Sequence, residues 1–589
     1  MQGGEELAHV VTEAPRAGRQ RLREVARALR ATAAGWTSLA AALVATWPLA
    51  AHLTTAVPRG TEHEATVPVF SLWNLWWTAD RIPHAFHGFL DAPFFYPNHG
   101  VTTYSEPMPL MGTLAAPLWG VGAPTALIYN VTLLALLTLN GIFAYRVARA
   151  LAAPQAAALL GGIMAVTLPF AADVAGVLPN LAFFGMLWTL DGLIRFGRTG
   201  SVGWALWSAA GFVVTYYTFQ QYALFFLPLA LAAGLVALSL QRFRRGSAAR
   251  LVVAAVVAVL VALPLALPTI RLHRQGGFER PAELVRALSA RPGDFLTRPD
   301  TALVPVPERD PADTAGLFPG ILLGGLAIGG AALALRDPSR RRWAVLLVGG
   351  SLFGFLLALG LNLNLWGWRP FGTLRALVPA IAEVRSPYRA AAIFQLFLPV
   401  LAALALARAR TRVTRAGSAA VVAVGLLAAV ENLAVPAPLV RIPGSAQAAW
   451  TGWLRGHDDR KVLAHVPFPG GLSVADYEIE AWRMFRQIDH HRPIVNGYSG
   501  FFPVVRTPEG RVLPAYTAFQ ISMAREFPSY QLLCVLTESL GVDTLVADRA
   551  WLSTRRRLAA FPGFLRLAYA DPDVQIYALR TPPGRCRLG

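Results

Sequence analysis

Runs of about 20 apolar residues recur along this chain, and a helix of that length crosses a hydrocarbon core of roughly 30 Å. Short gaps rich in arginine separate the runs. No other feature narrows the fold as far. A hydrophobic content of 55%, a charged content of 15% and a mean hydropathy of +0.45 over 589 residues point to a polytopic membrane protein and away from a soluble multidomain one. The formal net charge of +19 would suit nucleic acid. The arginines, however, fall in the gaps between apolar runs, where membrane topology accounts for them. No nucleic-acid partner is therefore expected.

Arg16, Arg19, Arg21, Arg23, Arg27 and Arg30 precede the first run, Gly35 to Leu53. That run reads as an uncleaved first span, its basic flank holding residues 1–33 in the cytoplasm and sending residues 54–122 outside. Leu110 to Gly122 is apolar but too short to span, which makes it interfacial or re-entrant. Further helices are expected at about 124–145, 154–172, 178–194, 202–219, 221–240, 251–270, 317–335, 343–361, 390–407 and 417–434. With that count Arg146/Arg149, Arg195/Arg198, Arg242 to Arg250, Arg336 to Arg342 and Arg408 to Arg415 all fall inside, an agreement lost if one helix is added or dropped early. The expectation is a mainly α transmembrane bundle of about 11 spans over residues 34–438, with outer loops 54–122, 271–316 and 362–389.

From residue 439 to 589 the pattern becomes that of a soluble, extracytoplasmic α/β domain. KVLAHVPF (461–468) and VDTLVAD (542–548) read as buried strands, LRLAYA and VQIYALR as a hairpin around Asp571-Pro572-Asp573, and residues 472–488 and 527–540 as helices. Cys534 and Cys586 read as free thiols, one disulfide being the alternative on an oxidising side. The chain carries no CxxC, HExxH, GxxxxGK[ST] or GxSxG motif.

Residues 62–106 hold the densest chemistry. Glu62, Glu64, Asp80, Asp91 and Glu106 share this loop with aromatic residues suited to a membrane boundary. A carboxylate beside a partly desolvated cavity is placed to act as a general base, whereas an ordinary solvated loop charge is the plainer reading of most of the five. His63, His84, His87 and His99, with Glu62 and Glu64, are residue types that hold a divalent cation, but they lack the i, i+4 spacing of a helical ligand pair. No other cofactor is indicated. Arg271 and Arg274 open the second outer loop, and Arg385 and Arg389 stand before the helix expected near residue 390, where a guanidinium fork and a helix N-terminus suit a phosphate. Tyr216, Tyr217, Gln220 and Gln221 lie at an outer turn and suit either a sugar pocket or an aromatic belt. Asp489-His490-His491 reads as a polar surface turn.

One span, an outer loop with LWNLWW, FFYP and YSEP, a short apolar segment and a helix ending in arginines follow in order. Together with LPFAAD (168–173), VRSPYR (384–389) and HRPIVNGYSGFFP (491–503), that order resembles bacterial polytopic proteins of the GT-C glycosyltransferase superfamily, in a branch with a periplasmic C-terminal domain. The resemblance covers nearly the whole chain. It implies a multi-pass protein of the bacterial inner membrane that takes a sugar from a polyprenyl-phosphate donor. Transfer to a glycan, lipid or protein acceptor would occur at the outer face, with a catalytic Asp or Glu in the first outer loop. Glu106 matches the Ser-Glu of that branch, but the branch's Gly-Asp-Pro, about six residues before the first loop tryptophan, is replaced by Val67-Pro68 before Trp73. On this reading Glu64 or Glu62 is the base and Glu106 orients it or the acceptor. Arg385 and Arg389, with Arg271 and Arg274, receive the leaving lipid phosphate, while Trp73, Tyr96, Tyr216 and Gln220 line the substrates. The missing aspartate supports an alternative, a catalytically degenerate protein that binds or translocates lipid-linked glycans. A solute transporter is disfavoured because ionisable residues within the apolar runs are few, Asp191 and Glu431 among them.

Overall fold

The computed structural model describes residues 32–60, 65–298, 301–304, 316–410, 415–457, 461–506, 512–513, 515–554, 558, 561–582 and 586. Its principal helices are α1 (Thr32–Ala45), α2 (Thr66–Arg81), α3 (Pro109–Gly120), α4 (Thr125–Ala150), α5 (Gln155–Val166), α6 (Phe184–Thr199), α7 (Val202–Thr218), α8 (Gln220–Leu240), α9 (Arg245–Gly276), α10 (Ile321–Arg336), α11 (Arg341–Ala358), α12 (Leu398–Arg410), α13 (Arg415–Val430) and α14 (Glu478–His490). Each of the eleven expected spans contains a helix among the described residues. Among the described residues six helices, Thr125–Ala150, Gln155–Asp173, Gln220–Leu240, Arg245–Gly276, Arg341–Ala358 and Pro387–Ala409, are long and apolar enough to cross a membrane by length and composition. The protein is a multi-pass membrane protein built on a helical bundle.

The bundle packs through small residues. A side chain at Gly330 would run into the Leu401 carbonyl, so α10 and α12 touch backbone to backbone. In lipid, close approach of this kind substitutes for the hydrophobic drive that water supplies elsewhere. The ionisable residues inside the apolar runs are accounted for structurally. Asp191, fully buried, accepts hydrogen bonds from Arg146 and Arg195 at 2.7 Å and from the Trp207 indole at 3.3 Å. Glu431 accepts from the backbone N–H groups of Ile321 and Leu322, at 2.8 and 2.9 Å, satisfying the N-terminus of α10.

α3 is a 12-residue helix, too short to cross. It packs on α2, which the sequence reading left within a loop and the structure makes a 16-residue helix. The aromatic residues of α2 are core rather than interface. Trp73 stacks on Trp77 with centroids 5.9 Å apart and meets the edge of Phe94 at 5.1 Å.

The C-terminal region joins the bundle through β1 (Ala56–Pro58), which pairs antiparallel with β2 (Leu439–Arg441). Its sheet contains β3 (Leu463–Val466), β4 (Thr544–Asp548), β5 (Leu565–Ala570) and β6 (Val574–Leu579) in the order β3-β4-β6-β5, parallel between β3 and β4 and antiparallel elsewhere. Cys534 and Cys586 form a disulfide, correcting the free-thiol reading; the pairing comes from tertiary placement, which a 52-residue separation hides. Asp489 and His490 are likewise buried at the end of α14 rather than on a surface turn. The amphipathic pattern of α14 carries both onto its inner face.

That burial has a pH signature. Desolvation first, then His491 and Arg492, lower His490 to about 3, and His465 is also pulled well below its usual range by burial. A folded pKa below the unfolded value near 6.5 means that the unfolded chain binds more protons between the two. The stabilisation is complete above pH 6.5 and falls as pH drops, by up to about 2 kcal/mol per histidine at pH 5. Thermal melting of the full chain is expected to show a lower midpoint for its C-terminal transition at pH 5 than at pH 7, with a smaller difference in His490→Gln.

Candidate functional site

The site forms where the chain must break its helices. Phe219, extended at φ −156°, separates α7 from α8 and leaves Gln220 and Gln221 in the first turn of α8. Ser386 is extended ahead of Pro387, as a residue before proline tends to be, and the turn Pro387–Ala390 then presents Arg389. One Arg389 Nη1 donates to Gln221 Oε1 at 2.8 Å and lies 3.4 Å from Glu106 Oε1, while the guanidinium sits 5.5 Å from the Phe219 ring centroid. Gln221 in turn donates through Nε2 to the Ser386 carbonyl at 3.1 Å, closing a ring of contacts. Glu106 keeps 27% of its side chain exposed, and the Ser105 hydroxyl donates to its Oε2 at 3.2 Å.

Arg280 completes the cluster. Gly277, whose φ of +62° favours glycine, caps α9, and three residues later Arg280 donates to the Gly500 carbonyl at 2.6 Å with its guanidinium 3.4 Å from the Phe501 ring centroid. Burial and the neighbouring Arg385 pull Arg280 down to about 9, Glu106 opposing and Arg389 adding to the fall. It remains a cation at neutral pH. Arg385 is half-buried and makes no hydrogen bond or ion pair to any described residue. Arg280 thus feels both Arg385 and Arg389, and Glu106 pairs with Arg389, a neighbourhood with positive charge in excess that suits a polyanion.

Beside this cluster, Glu106, Tyr216, Tyr217, Thr218, Gln220 and Leu265 border a seam too narrow to admit water. The Gln220 amide donates to the Tyr216 hydroxyl at 3.4 Å and the Tyr217 hydroxyl donates to the Val261 carbonyl at 2.7 Å. On the adjoining turn the Tyr388 hydroxyl donates to Asp173 at 2.9 Å. The quoted motifs therefore converge: VRSPYR meets YSEP through Arg389, and LPFAAD through Tyr388. YSEP meets NGYSGFF where the Phe501 N–H donates to the Tyr104 carbonyl at 2.8 Å.

Other expected residues lie elsewhere. Glu62, Glu64 and His63 fall outside the described residues; the chain enters that stretch at Gly60, against Gly176, and leaves it at Ala65. Trp73 is 0% exposed and its indole donates to Gln487 at 3.0 Å, so it supports the core and lines no substrate path. Tyr96 lies at the seam with the C-terminal region, its backbone N–H donating to the Ile494 carbonyl. Arg271 and Arg274 are on the exposed face of the last turns of α9, which is longer than its apolar run suggests. The inward face of those turns carries His273, whose Nδ1 is 2.6 Å from Glu383 and whose Nε2 is 2.8 Å from the Thr103 carbonyl. His84, His87 and His99 are exposed, and among the described residues no group of three or more His, Cys, Asp or Glu side chains comes together as a metal site. Sequence reading missed Arg280, His273 and Glu383. Arg280 stands among several arginines of the second outer loop, and nothing local marks it out.

No protein-family model and no curated protein matches the sequence. Solved structures do. Arabinofuranosyltransferase AftD from Mycobacteria aligns over 93% of this chain with a TM-score of 0.58 at 17% identity, and a variant of it over 94% with a TM-score of 0.54 at 18% identity. The fold is GT-C-like. The chain spans only 40% of the length of AftD. The oligosaccharyltransferase AglB from Archaeoglobus fulgidus aligns over 95% of this chain and 74% of its own, with a TM-score of 0.45 at 12% identity. The GT-C-like fold brings the first long loop, the start of α8, the turn before α12 and the C-terminal region to one end of the bundle. The arginine-rich turns among the described residues occupy the other end: α8 carries Gln221 in its first turn and Ser239, held by Arg342 at 3.0 Å, in its last. Those 21 residues of helix separate the two ends by about 30 Å.

Proposed function

We propose that the protein is a membrane glycosyltransferase that moves a sugar from a polyprenyl-phosphate donor to an acceptor hydroxyl at the outer face of a bacterial inner membrane. The observation that carries this reading is the grouping of Arg280 with Arg385, Arg389 and Glu106, Arg389 pairing with Glu106, beside Tyr216, Tyr217 and Gln220. The positive-inside rule supports the orientation, since the arginine-rich turns lie at the end away from this cluster. The Cys534–Cys586 disulfide supports an oxidising compartment for the C-terminal region, the extracytoplasmic domain of the sequence reading. The solved AftD, an arabinofuranosyltransferase, makes a pentose donor the first to try.

In this mechanism the guanidiniums hold the donor phosphate, and the bond between the sugar C1 and the phosphate oxygen breaks as the acceptor oxygen bonds to C1. The acceptor proton passes to a carboxylate, and the polyprenyl phosphate leaves with its charge spread over Arg280, Arg385 and Arg389. Glu106 orients Arg389 and accepts a hydrogen bond from the acceptor; Glu64 or Glu62 remains the proposed base. The protein in lipid nanodiscs, given polyprenyl-phosphate pentose or hexose and a glycan acceptor, is expected to release polyprenyl phosphate and extend the acceptor. Glu106→Gln is expected to slow that release by about 10²-fold. Donor binding with no release under any acceptor would instead establish the degenerate, glycan-binding alternative that Val67 favours.

A further inference from the structure

A second concave site lies away from the arginine cluster, where α3 meets the C-terminal region. It is a cavity of about 630 Å³ lined by residues that include Trp76, Asp80, Trp119, Gly444, Gln447 and Asp489. That volume falls in the range of roughly 300–1,000 Å³ typical of small-ligand sites. Its walls are fixed, because Arg486 donates to the carbonyls of Ala446 and Gln447 at 3.0 and 2.9 Å.

The polar groups in it are unfinished. The Asp489 side chain is only 6% exposed, yet its Oδ2 has no hydrogen-bond partner, and the buried Trp119 Nε1–H has none either. Buried polar atoms are ordinarily paired, and leaving one unpaired costs about 1–3 kcal/mol. The charges, by contrast, are already met: Asp80 pairs with Arg81, and Asp489 Oδ1 lies 3.6 Å from Arg455. A site that offers acceptors, a buried donor and two indoles, with no net charge to neutralise, suits a neutral polyhydroxyl molecule. Ring hydroxyls would donate to Asp489 and accept from Trp119, with C–H faces against the indoles.

We propose that this cleft docks the sugar chain of a neutral glycan acceptor. The position fits that role, because α3 starts three residues after Glu106 and the cleft lines its far end. The 12 residues of α3 span about 18 Å, so a short oligosaccharide held at Trp119 extends toward the arginine cluster. Calling the ligand the acceptor rests on the transfer reading; glycan binding at the cleft does not.

Ligand-observed saturation-transfer NMR tests it, titrating the full chain in nanodiscs with maltotriose, mannotriose and an arabinofuranosyl trisaccharide. At least one is expected to bind saturably, at least about tenfold more weakly to Asp489→Asn and Trp119→Ala. Gly444→Trp is expected to abolish binding, since the Gly444 Cβ position has open space and the new ring fills the cleft. Arg389→Ala serves as the control and is expected to leave binding unchanged. Absence of binding by all three sugars, or binding indifferent to both Gly444→Trp and Asp489→Asn, overturns the inference. Loss of binding in Arg389→Ala overturns it too, by assigning the sugar to the arginine cluster. Binding at the cleft in a protein that transfers no sugar leaves the inference standing and removes the transfer reading alone.

Discussion

Arg389→Ala is expected to reduce sugar transfer by about 10²–10³-fold, the effect of removing one preorganised donor from a developing negative charge. Arg389 is held from two sides, by Gln221 at 2.8 Å and Glu106 at 3.4 Å, so its fork is aimed before substrate arrives. Arg389→Lys is expected to restore only part of the rate, because an ammonium is a point charge and cannot bridge two phosphate oxygens in one plane. The initial rate of polyprenyl phosphate release, with gel-filtration profile and melting temperature matched to the parent, is the measurement. A loss below about threefold, far short of what removal of one such donor produces, would mean that Arg389 only holds α8 against the Ser386 turn.

Arg483→Met is expected to destabilise the C-terminal region by about 3–5 kcal/mol, because removing one partner leaves a buried charge uncompensated. Arg483 donates to Glu480 at 2.9 Å, to the Pro467 carbonyl at 2.7 Å and to Asp548 at 2.9 Å. Asn496 bonds the same Glu480 oxygen at 3.0 Å and the His465 backbone on β3. Burial raises Glu480 even with Arg483 beside it. In the variant this carboxyl stabilises the fold only while protonated, so the deficit relative to the parent is expected to grow as pH rises from 5 to 8. The further substitution Glu480→Gln is expected to recover much of the loss. Melting of the three proteins at pH 5 and pH 8 separates these outcomes. A pH-independent deficit would place the effect in packing. Because Asn496 leads the chain to Gly500 and Phe501 over Arg280, transfer is expected to fall together with stability.

What the residues alone made legible follows from the length scale of each signal. Spanning helices announce themselves over about 20 residues, whatever their neighbours, and each expected span contains a helix. Arg389, Glu106, Tyr216 and Gln220 were legible because turns between spans concentrate at two ends of a bundle, and polar residues at one end have few places to go. Trp73 misled because an aromatic run on a loop and one on a buried helix read alike. The partner that settles it, Gln487, is 414 positions away. Arg280 and the cleft at Asp489 were illegible for the same reason: each depends on a meeting between the bundle and the C-terminal region, which leaves no periodicity in either segment.

The central claim is that Arg280, Arg385 and Arg389 form a site for the phosphate of a lipid carrier. Phosphorus NMR of a polyprenyl phosphate in nanodiscs tests it directly, comparing the parent with a variant in which all three arginines are glutamine. A saturable shift of the phosphate resonance is predicted for the parent and its loss for the triple variant. An equal, saturable shift in both proteins would contradict the assignment.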